Sequence, residues 1–102
     1  MNISYTTKLV REWGTAKGII GLRGSATAET QFSKLLEEVE ELRLGIVKDD
    51  LDESVDAIGD CTVVLILLAE IIGVPFEECL ESAYEVISQR TGRMENGFFV
   101  KD

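Results

Sequence analysis

The 102-residue chain is 45% hydrophobic and carries a formal net charge of −9. This length suits a single domain over residues 1–102, and a helical domain this small often gains stability by forming a homo-oligomer. The negative charge argues against partners such as nucleic acid polymers or anionic membranes, because both require a basic surface. A polyanionic substrate would therefore have to be brought in by a cation.

Two further features predict a soluble, cytoplasmic protein. Cys61 and Cys79 lie in predicted helices and form no CxxC or zinc-binding pattern, so reduced thiols are expected. The N-terminal segment lacks the apolar core of a signal peptide. The longest apolar stretch, Cys61 to Ala69, is far shorter than the roughly 20 residues needed to span a bilayer.

The pattern of apolar residues predicts an all-α domain of the four-helix-bundle type, because strand-like alternation is nearly absent before the C-terminal tail. The first helix is predicted over about residues 4–13, where Tyr5, Leu9 and Trp13 share one face. A glycine-rich loop that could be mobile is expected over residues 14–25. It carries two cations, Lys17 and Arg23.

The second and third helices contain the strongest signals. The second is predicted to start at the N-cap Thr27 and to run to Leu44, with Gly45 ending it. Its predicted buried stripe consists of five apolar residues, Phe32, Leu35, Leu36, Val39 and Leu42. The third begins among the aspartates of residues 49–52, whose charges suit a helix N-terminus, and ends at Gly73. Its second half is apolar nearly all round, as expected for a helix surrounded by other helices or by a partner subunit.

The fourth helix is predicted to open at Pro75 and to run to about residues 91–92. Its predicted core face consists of Leu80, Ala83, Tyr84 and Ile87. Beyond it, Asn96-Gly97 lies between apolar residues and is typical of a tight hairpin turn. The tail is therefore expected to form a short hairpin or an extended segment.

Two groups of carboxylates occur at helical spacing in the second and third helices: Glu37, Glu38 and Glu41, and then Glu53, Asp56 and Asp60. Residues three and four apart lie side by side on a helix. A short connecting loop makes these helices antiparallel neighbours, so the two stripes can face each other. Carboxylates crowded in this way repel unless they take up protons or a cation lies between them.

The chain contains no histidine, so the expected ligands are oxygen atoms. Oxygen-only sites favour hard cations such as Mg²⁺ or Mn²⁺. The absence of histidine also excludes a ferritin-like di-iron site, which uses Glu-x-x-His motifs.

A solvated acidic face is the alternative to a metal site, since the chain has 19 acidic residues. Asp60 favours a metal site, because it lies in mid-helix against an apolar run where an unpaired carboxylate is costly. Glu53 fits a ligand and a first-turn charge at a helix N-terminus equally well.

Several segments together carry a family resemblance. They are Trp13, Lys17-Gly18-Ile19, Gln31, the run KLLEEVEEL over residues 34–42, Gly59-Asp60, GVPFEE over residues 73–78 and the tail GRMENGFFVK over residues 92–101. Over nearly the whole chain they resemble the MazG-like nucleoside triphosphate pyrophosphohydrolases of the all-α NTP pyrophosphatase superfamily.

This resemblance implies a helical homodimer or homotetramer that binds Mg²⁺ through four acidic residues. Such an enzyme splits a nucleoside triphosphate (NTP or dNTP) into a monophosphate and pyrophosphate. Matched by position, Glu38 and Glu41 take the first two ligand places and Asp60 takes the last. At the remaining place the family usually has Glu, and this chain has Ala57. Asp56 is the natural replacement.

Glu53 lies behind Asp56 on the same stripe. The family often carries Asn and Lys in the fourth helix, where this chain offers only Arg90 as a cation. Contacts to phosphate are then expected from four other cations, Lys17, Arg23, Lys34 or Arg93.

In this interpretation, bound Mg²⁺ would neutralise the triphosphate and lower the pKa of the attacking water. Glu37 would position or deprotonate that water. Trp13 fits two roles, stacking on the base or packing in the core.

Two other classes remain open. One is a catalytically inactive MazG-like interaction module, which the residues Ala57 and Glu85 favour. The other is a structural oligomer or metal-binding protein without nucleotide chemistry.

Overall fold

The computed structural model describes residues 2–102 and consists mainly of helices. The helices are α1 (Ile3–Ala16), α2 (Ala28–Val47), α3 (Leu51–Ile72) and α4 (Phe76–Ile87), followed by the strands β1 (Gly92–Glu95) and β2 (Phe98–Lys101). The predicted all-α class with a C-terminal hairpin is confirmed for the described part of the chain. Within it no single helix has the length and hydropathy to cross a bilayer, although the bent pair α3 and α4 together would pass on length and composition.

Side chains at the helix ends explain several boundaries. The Thr27 hydroxyl accepts a hydrogen bond from the backbone N–H of Thr30, and the Thr30 hydroxyl accepts one from the N–H of Thr27, which forms a capping box. The Asp50 carboxylate accepts from the N–H of Glu53 at the start of α3. Gly73 ends α3 in the left-handed region, with φ 92°. These predicted boundaries are confirmed.

Other predicted boundaries were wrong. Gly45 does not end α2, which continues to Val47. A Cβ atom at Gly45 would lie 2.9 Å from the Ser54 Oγ atom, so this glycine permits close approach of α2 and α3 instead. Gly14 likewise does not end its helix. It is buried inside α1 and packs against Leu67, and α1 continues beyond its predicted end to Ala16.

The fourth helix is shorter than predicted, because its last turn tightens. The N–H groups of Gln89 and Arg90 bond to carbonyls three residues earlier, and the chain then becomes extended at Gly92. In the hairpin, Arg93 pairs with Val100 and Met94 pairs with Phe99. The Asn96-Gly97 turn has positive φ at both residues, 49° and 87°, as a two-residue hairpin loop requires.

The core lies mainly along α3, and α2 packs most extensively against it. The buried apolar residues are Ile20, Ala57, Val64, Ile66, Leu67 and Ala69. Arg11 of α1 holds α4 through a double hydrogen bond to Glu77, at 2.7 and 3.1 Å, and also lies 3.3 Å from Glu70 of α3. The Glu77 pKa is lowered by this hydrogen-bonded guanidinium.

Two predicted core faces, and the apolar face of α1, are exposed. They comprise Tyr5, Leu9 and Trp13 on α1, Phe32, Leu36 and Val39 on α2, and Leu80, Tyr84 and Ile87 on α4. Ala83 is exposed as well, and Leu35 and Leu42 are half-buried. The periodicity correctly identified apolar faces, but within residues 2–102 no element covers their exposed side chains.

Candidate metal centre

The close packing of α2 against α3 places one carboxylate inside the protein. Gly45 contacts Ser54, and one turn further along α3 the Ala57 side chain is buried, with 2% exposed. Because the helices run antiparallel, the residues two turns before Gly45 on α2 lie opposite the middle of α3. Glu38 occupies this position and is only 7% exposed. Asp60 faces it from α3 and is half-buried.

Three carboxylates converge at this point. Glu38, Glu41 and Asp60 each offer an oxygen atom, and these three atoms lie within 4.8 Å of one another. Glu41 is exposed, so the group opens towards solvent on one side. The arrangement brings together the three acidic residues for which the family resemblance implies the first, second and last ligand places.

The two oxygens of Glu38 have different surroundings. Oε1 lies 3.4 Å from the Nζ atom of Lys34. Oε2 is buried and has no hydrogen-bond partner among the described residues. Leaving a buried oxygen unpaired costs about 1–3 kcal/mol, and more when the group is charged. An unpaired buried oxygen on a residue of this carboxylate group indicates a place for a positively charged ligand.

The pKa values of the surrounding groups reflect the same crowding. Repulsion from Glu38 raises the pKa of Glu41. Burial raises the pKa of Asp60, with further contributions from Asp56 and Glu38. Lys34 counters part of this repulsion. Its own pKa is raised by Glu37 first and then by Glu38.

These residues fit a hard divalent cation. Carboxylate oxygens are the donors that such ions prefer, and an ion that keeps several water ligands needs only a few protein groups. Glu38, Glu41 and Asp60 would hold it directly. Asp56 lies one turn before Asp60 and is exposed, outside the group of three converging residues. Glu53 lies 3.8 Å from Lys48 in an ion pair.

A cleft of about 450 Å³ adjoins the carboxylates. This volume falls within the range of small-molecule sites. Its walls come from α1, the following loop, α2 and α3. The lining residues include Trp13, Ile19, Gln31, Lys34, Glu37, Glu38 and Asp60. Trp13 is 48% exposed, so it belongs to the wall of the cleft and not to the core.

The other predicted phosphate-binding cations do not line this cleft. Lys17 and Arg23 lie on the loop after α1, and Arg90 follows the end of α4. Arg93 lies in the hairpin, where its guanidinium is 3.0 Å from the Glu95 carboxylate. Of the predicted substrate-binding residues, the structure thus places Trp13 and Lys34 beside the carboxylates.

Several polar residues of the cleft were not predicted as site residues. They are Thr30, Gln31 and Ser33 of α2. The sequence does contain a signal for Gln31. Gln31, Lys34 and Glu38 follow one another at helical spacing and therefore share a face of α2.

Comparison with known proteins gives one informative relative and two negative results. No protein-family model matches the chain, and no solved structure matches it. An uncharacterized 18.2 kDa protein from the rep-hol intergenic region of Haemophilus phage HP1 (strain HP1c1) is 33% identical over 69 residues. This match covers 68% of the chain and 40% of the phage protein. The chain thus spans less than half the length of that relative, whose printed name records no activity.

Proposed function

We propose that the chain is a MazG-like nucleoside triphosphate pyrophosphohydrolase that depends on Mg²⁺, with Mn²⁺ as the alternative ion. The observation that carries this proposal is the unpaired, buried Oε2 atom of Glu38 within a group of three carboxylates beside a cleft. A nucleoside triphosphate is polyanionic, and a chain with a net charge of −9 binds it through a cation. The proposed setting is the cytoplasm, where such substrates and Mg²⁺ occur together.

The residues around the cleft supply distinct parts of this chemistry. When bound, a divalent ion neutralises phosphate charge and lowers the pKa of water. Glu37 lines the cleft, is exposed, and lies 3.8 Å from the Lys34 Nζ atom. In the proposal Glu37 positions the attacking water and accepts its proton. Lys34 contacts the phosphates, and Trp13 stacks against the base.

Ala57 is where this chain departs from the proposed family. Its methyl group is buried at the α2–α3 contact, with 2% exposed, and it offers no ligand atom. We propose that Asp56 supplies the fourth carboxylate, with Glu53 behind it.

The exposed surface supports a homodimer or homotetramer. The chain exposes 7671 Å², whereas a folded protein of 11.3 kDa is expected to expose about 5,700 Å². The excess of roughly 1,900 Å² exceeds the ~800 Å² that one partner contributes to a standard interface. Exposed apolar side chains form stripes along α2 and α3: Phe32, Leu36 and Val39, and Val55, Ile58 and Leu65. We propose that these stripes pair with those of a second copy.

Incubation of the full chain with a panel of standard and modified NTPs and dNTPs, with and without Mg²⁺, tests the function. We expect turnover that requires Mg²⁺ and is abolished by Glu38→Gln in a folded helical protein. Thermal stabilisation separates the other classes. Stabilisation by Mg²⁺ without any response to nucleotides would identify a structural metal protein, and no stabilisation by Mg²⁺ would identify an inactive module.

A further inference from the structure

Within residues 2–102, the C-terminal hairpin lies apart from the helices. In the described residues, no Cα atom of β1 or β2 lies within 8 Å of a helix Cα atom. Four large apolar side chains of the hairpin are exposed: Met94 by 65%, Phe98 by 74%, Phe99 by 53% and Val100 by 39%. An isolated two-stranded hairpin is marginally stable in water. A surface that covers these apolar side chains would therefore stabilise it.

Both faces of the hairpin are apolar in part. The strand register places Met94 beside Phe99 on one face, and Phe98 and Val100 on the other. The hairpin also extends the molecule. The radius of gyration is 15.8 Å, compared with about 13 Å for a compact domain of this length. A partner that receives the hairpin would account for both properties.

A groove between the start of α1 and α4 has the matching character. It encloses about 540 Å³, and its lining is largely apolar, with Ile3, Phe76, Leu80 and Tyr84 among its residues. Carboxylates border it, including Glu81 and Glu85. The ion pairs of the described residues leave both without a cation. The hairpin brings Lys101, which is likewise free of an ion pair within residues 2–102.

We propose that the hairpin of one copy seats in the α1–α4 groove of a second copy of this chain. Apolar hairpin side chains would fill the groove, and Lys101 would face the acidic border. Residues 88–91 connect α4 to the hairpin. A two-fold axis that places one hairpin on the partner's α4 also places the partner's hairpin on the first α4, because a two-fold contact is reciprocal. The exchange is reciprocal and closed. It uses neither the metal centre nor the apolar stripes of α2 and α3.

Disulfide trapping between two differently labelled full-length chains tests this arrangement. Both chains carry Cys61→Ala and Cys79→Ala, and circular dichroism checks that their helix content is unchanged. One chain carries Lys101→Cys in the hairpin, and the other carries Glu81→Cys in the groove. The matched control replaces the groove cysteine by Glu40→Cys on the exposed surface of α2.

We expect at least tenfold more mixed disulfide dimer with Glu81→Cys than with Glu40→Cys. Equal yields, or no mixed dimer, would overturn the proposal. A chain carrying both Lys101→Cys and Glu81→Cys provides a further check, because a hairpin that folds back onto its own α4 would give a disulfide within one chain. A predominance of that product would also overturn it.

Reversing the charges of Lys101 and Glu81 by substitution, in the chain that keeps both natural cysteines, provides an independent test. Lys101→Glu should raise the dissociation constant of one association step at least tenfold in sedimentation equilibrium. Adding Glu81→Lys should restore it to within threefold. Failure of the second substitution to restore association would contradict the proposed pairing, whatever the outcome of the nucleotide assays.

Discussion

Replacing Glu38 by glutamine tests the metal centre most sharply, because it should have opposite effects with and without Mg²⁺. Glutamine keeps the volume of the side chain and removes its charge. The ligand oxygens of the three carboxylates lie within 4.8 Å of one another. At an effective dielectric constant of about 20, unit charges separated by roughly that distance repel by about 3.5 kcal/mol. This Coulomb energy sets the scale of the repulsion between Glu38 and Asp60 that the substitution removes, before screening by solvent reduces it.

The net stabilisation of the metal-free chain by Glu38→Gln will be smaller than this repulsion. Asp60 is partly solvated, and the ion pair of Lys34 with Glu38, at 3.4 Å, is lost. We therefore expect Glu38→Gln to stabilise the metal-free chain by about 1 kcal/mol, or roughly 4–8 °C in Tm. In the unsubstituted chain, Mg²⁺ at a hundredfold excess over its dissociation constant should add about 2.7 kcal/mol, or roughly 10–20 °C. Glu38→Gln should abolish most of that increment.

Differential scanning calorimetry at a fixed protein concentration measures both effects. Glu40→Gln is the matched control, since Glu40 lies on the same helix but pairs with Arg43, at 2.7 Å. Glu40→Gln removes one negative charge from α2 without altering the carboxylate cluster, so stabilisation by Mg²⁺ should persist. The reasoning is refuted if Glu38→Gln lowers the stability of the metal-free chain and leaves stabilisation by Mg²⁺ intact.

Three further predictions follow from the same geometry. Glu37→Gln should retain stabilisation by Mg²⁺ but reduce turnover by about 10²–10⁴-fold, and full turnover in steady-state assays would remove Glu37 from the mechanism. Gly45→Ala should lower the free energy of unfolding by about 1–3 kcal/mol in urea unfolding, because the new Cβ would approach Ser54 Oγ to 2.9 Å. Gly59→Ala has open space around it and should instead stabilise α3 by about 0.5–1 kcal/mol. Stability changes of the same sign for both substitutions would contradict the close contact between α2 and α3. Burial and neighbouring carboxylates raise the folded-state pKa of Asp60, so the contribution of this group to the stability of the metal-free chain should fall as pH rises from about 4 through that raised value. Stabilisation by Mg²⁺ should grow over the same range, and a pH-independent effect of Mg²⁺ in thermal melts would argue against ligation by this cluster.

The local signals in the sequence predicted the helices well, since each acts within a few residues. The capping side chains of Thr27 and Asp50 and the left-handed Gly73 mark helix ends by bonds to their own neighbours. Gly45 was misinterpreted because a glycine after an apolar run is typical of a helix end and of a close helix contact alike. Only the position of Ser54 across the contact distinguishes the two.

The convergence of Glu38, Glu41 and Asp60 was accessible from sequence because helical spacing and antiparallel packing bring them together. Two aspects of the site were not accessible. Helical periodicity placed Asp56 on the same stripe as Asp60, but the direction of each side chain depends on how α3 is rotated against α2. Periodicity also left open whether Trp13 packs in the core or lines the cleft, since it identifies an apolar face without showing what covers that face.

Identification of the reaction products tests the central claim most directly. The full chain is incubated with Mg²⁺ and the nucleoside triphosphate that it turns over fastest, and ³¹P NMR follows the phosphorus-containing species. The account predicts nucleoside monophosphate and pyrophosphate in equal amounts, with neither formed by Glu38→Gln. Release of inorganic phosphate and nucleoside diphosphate, or hydrolysis that continues in the Glu38→Gln variant, would contradict it.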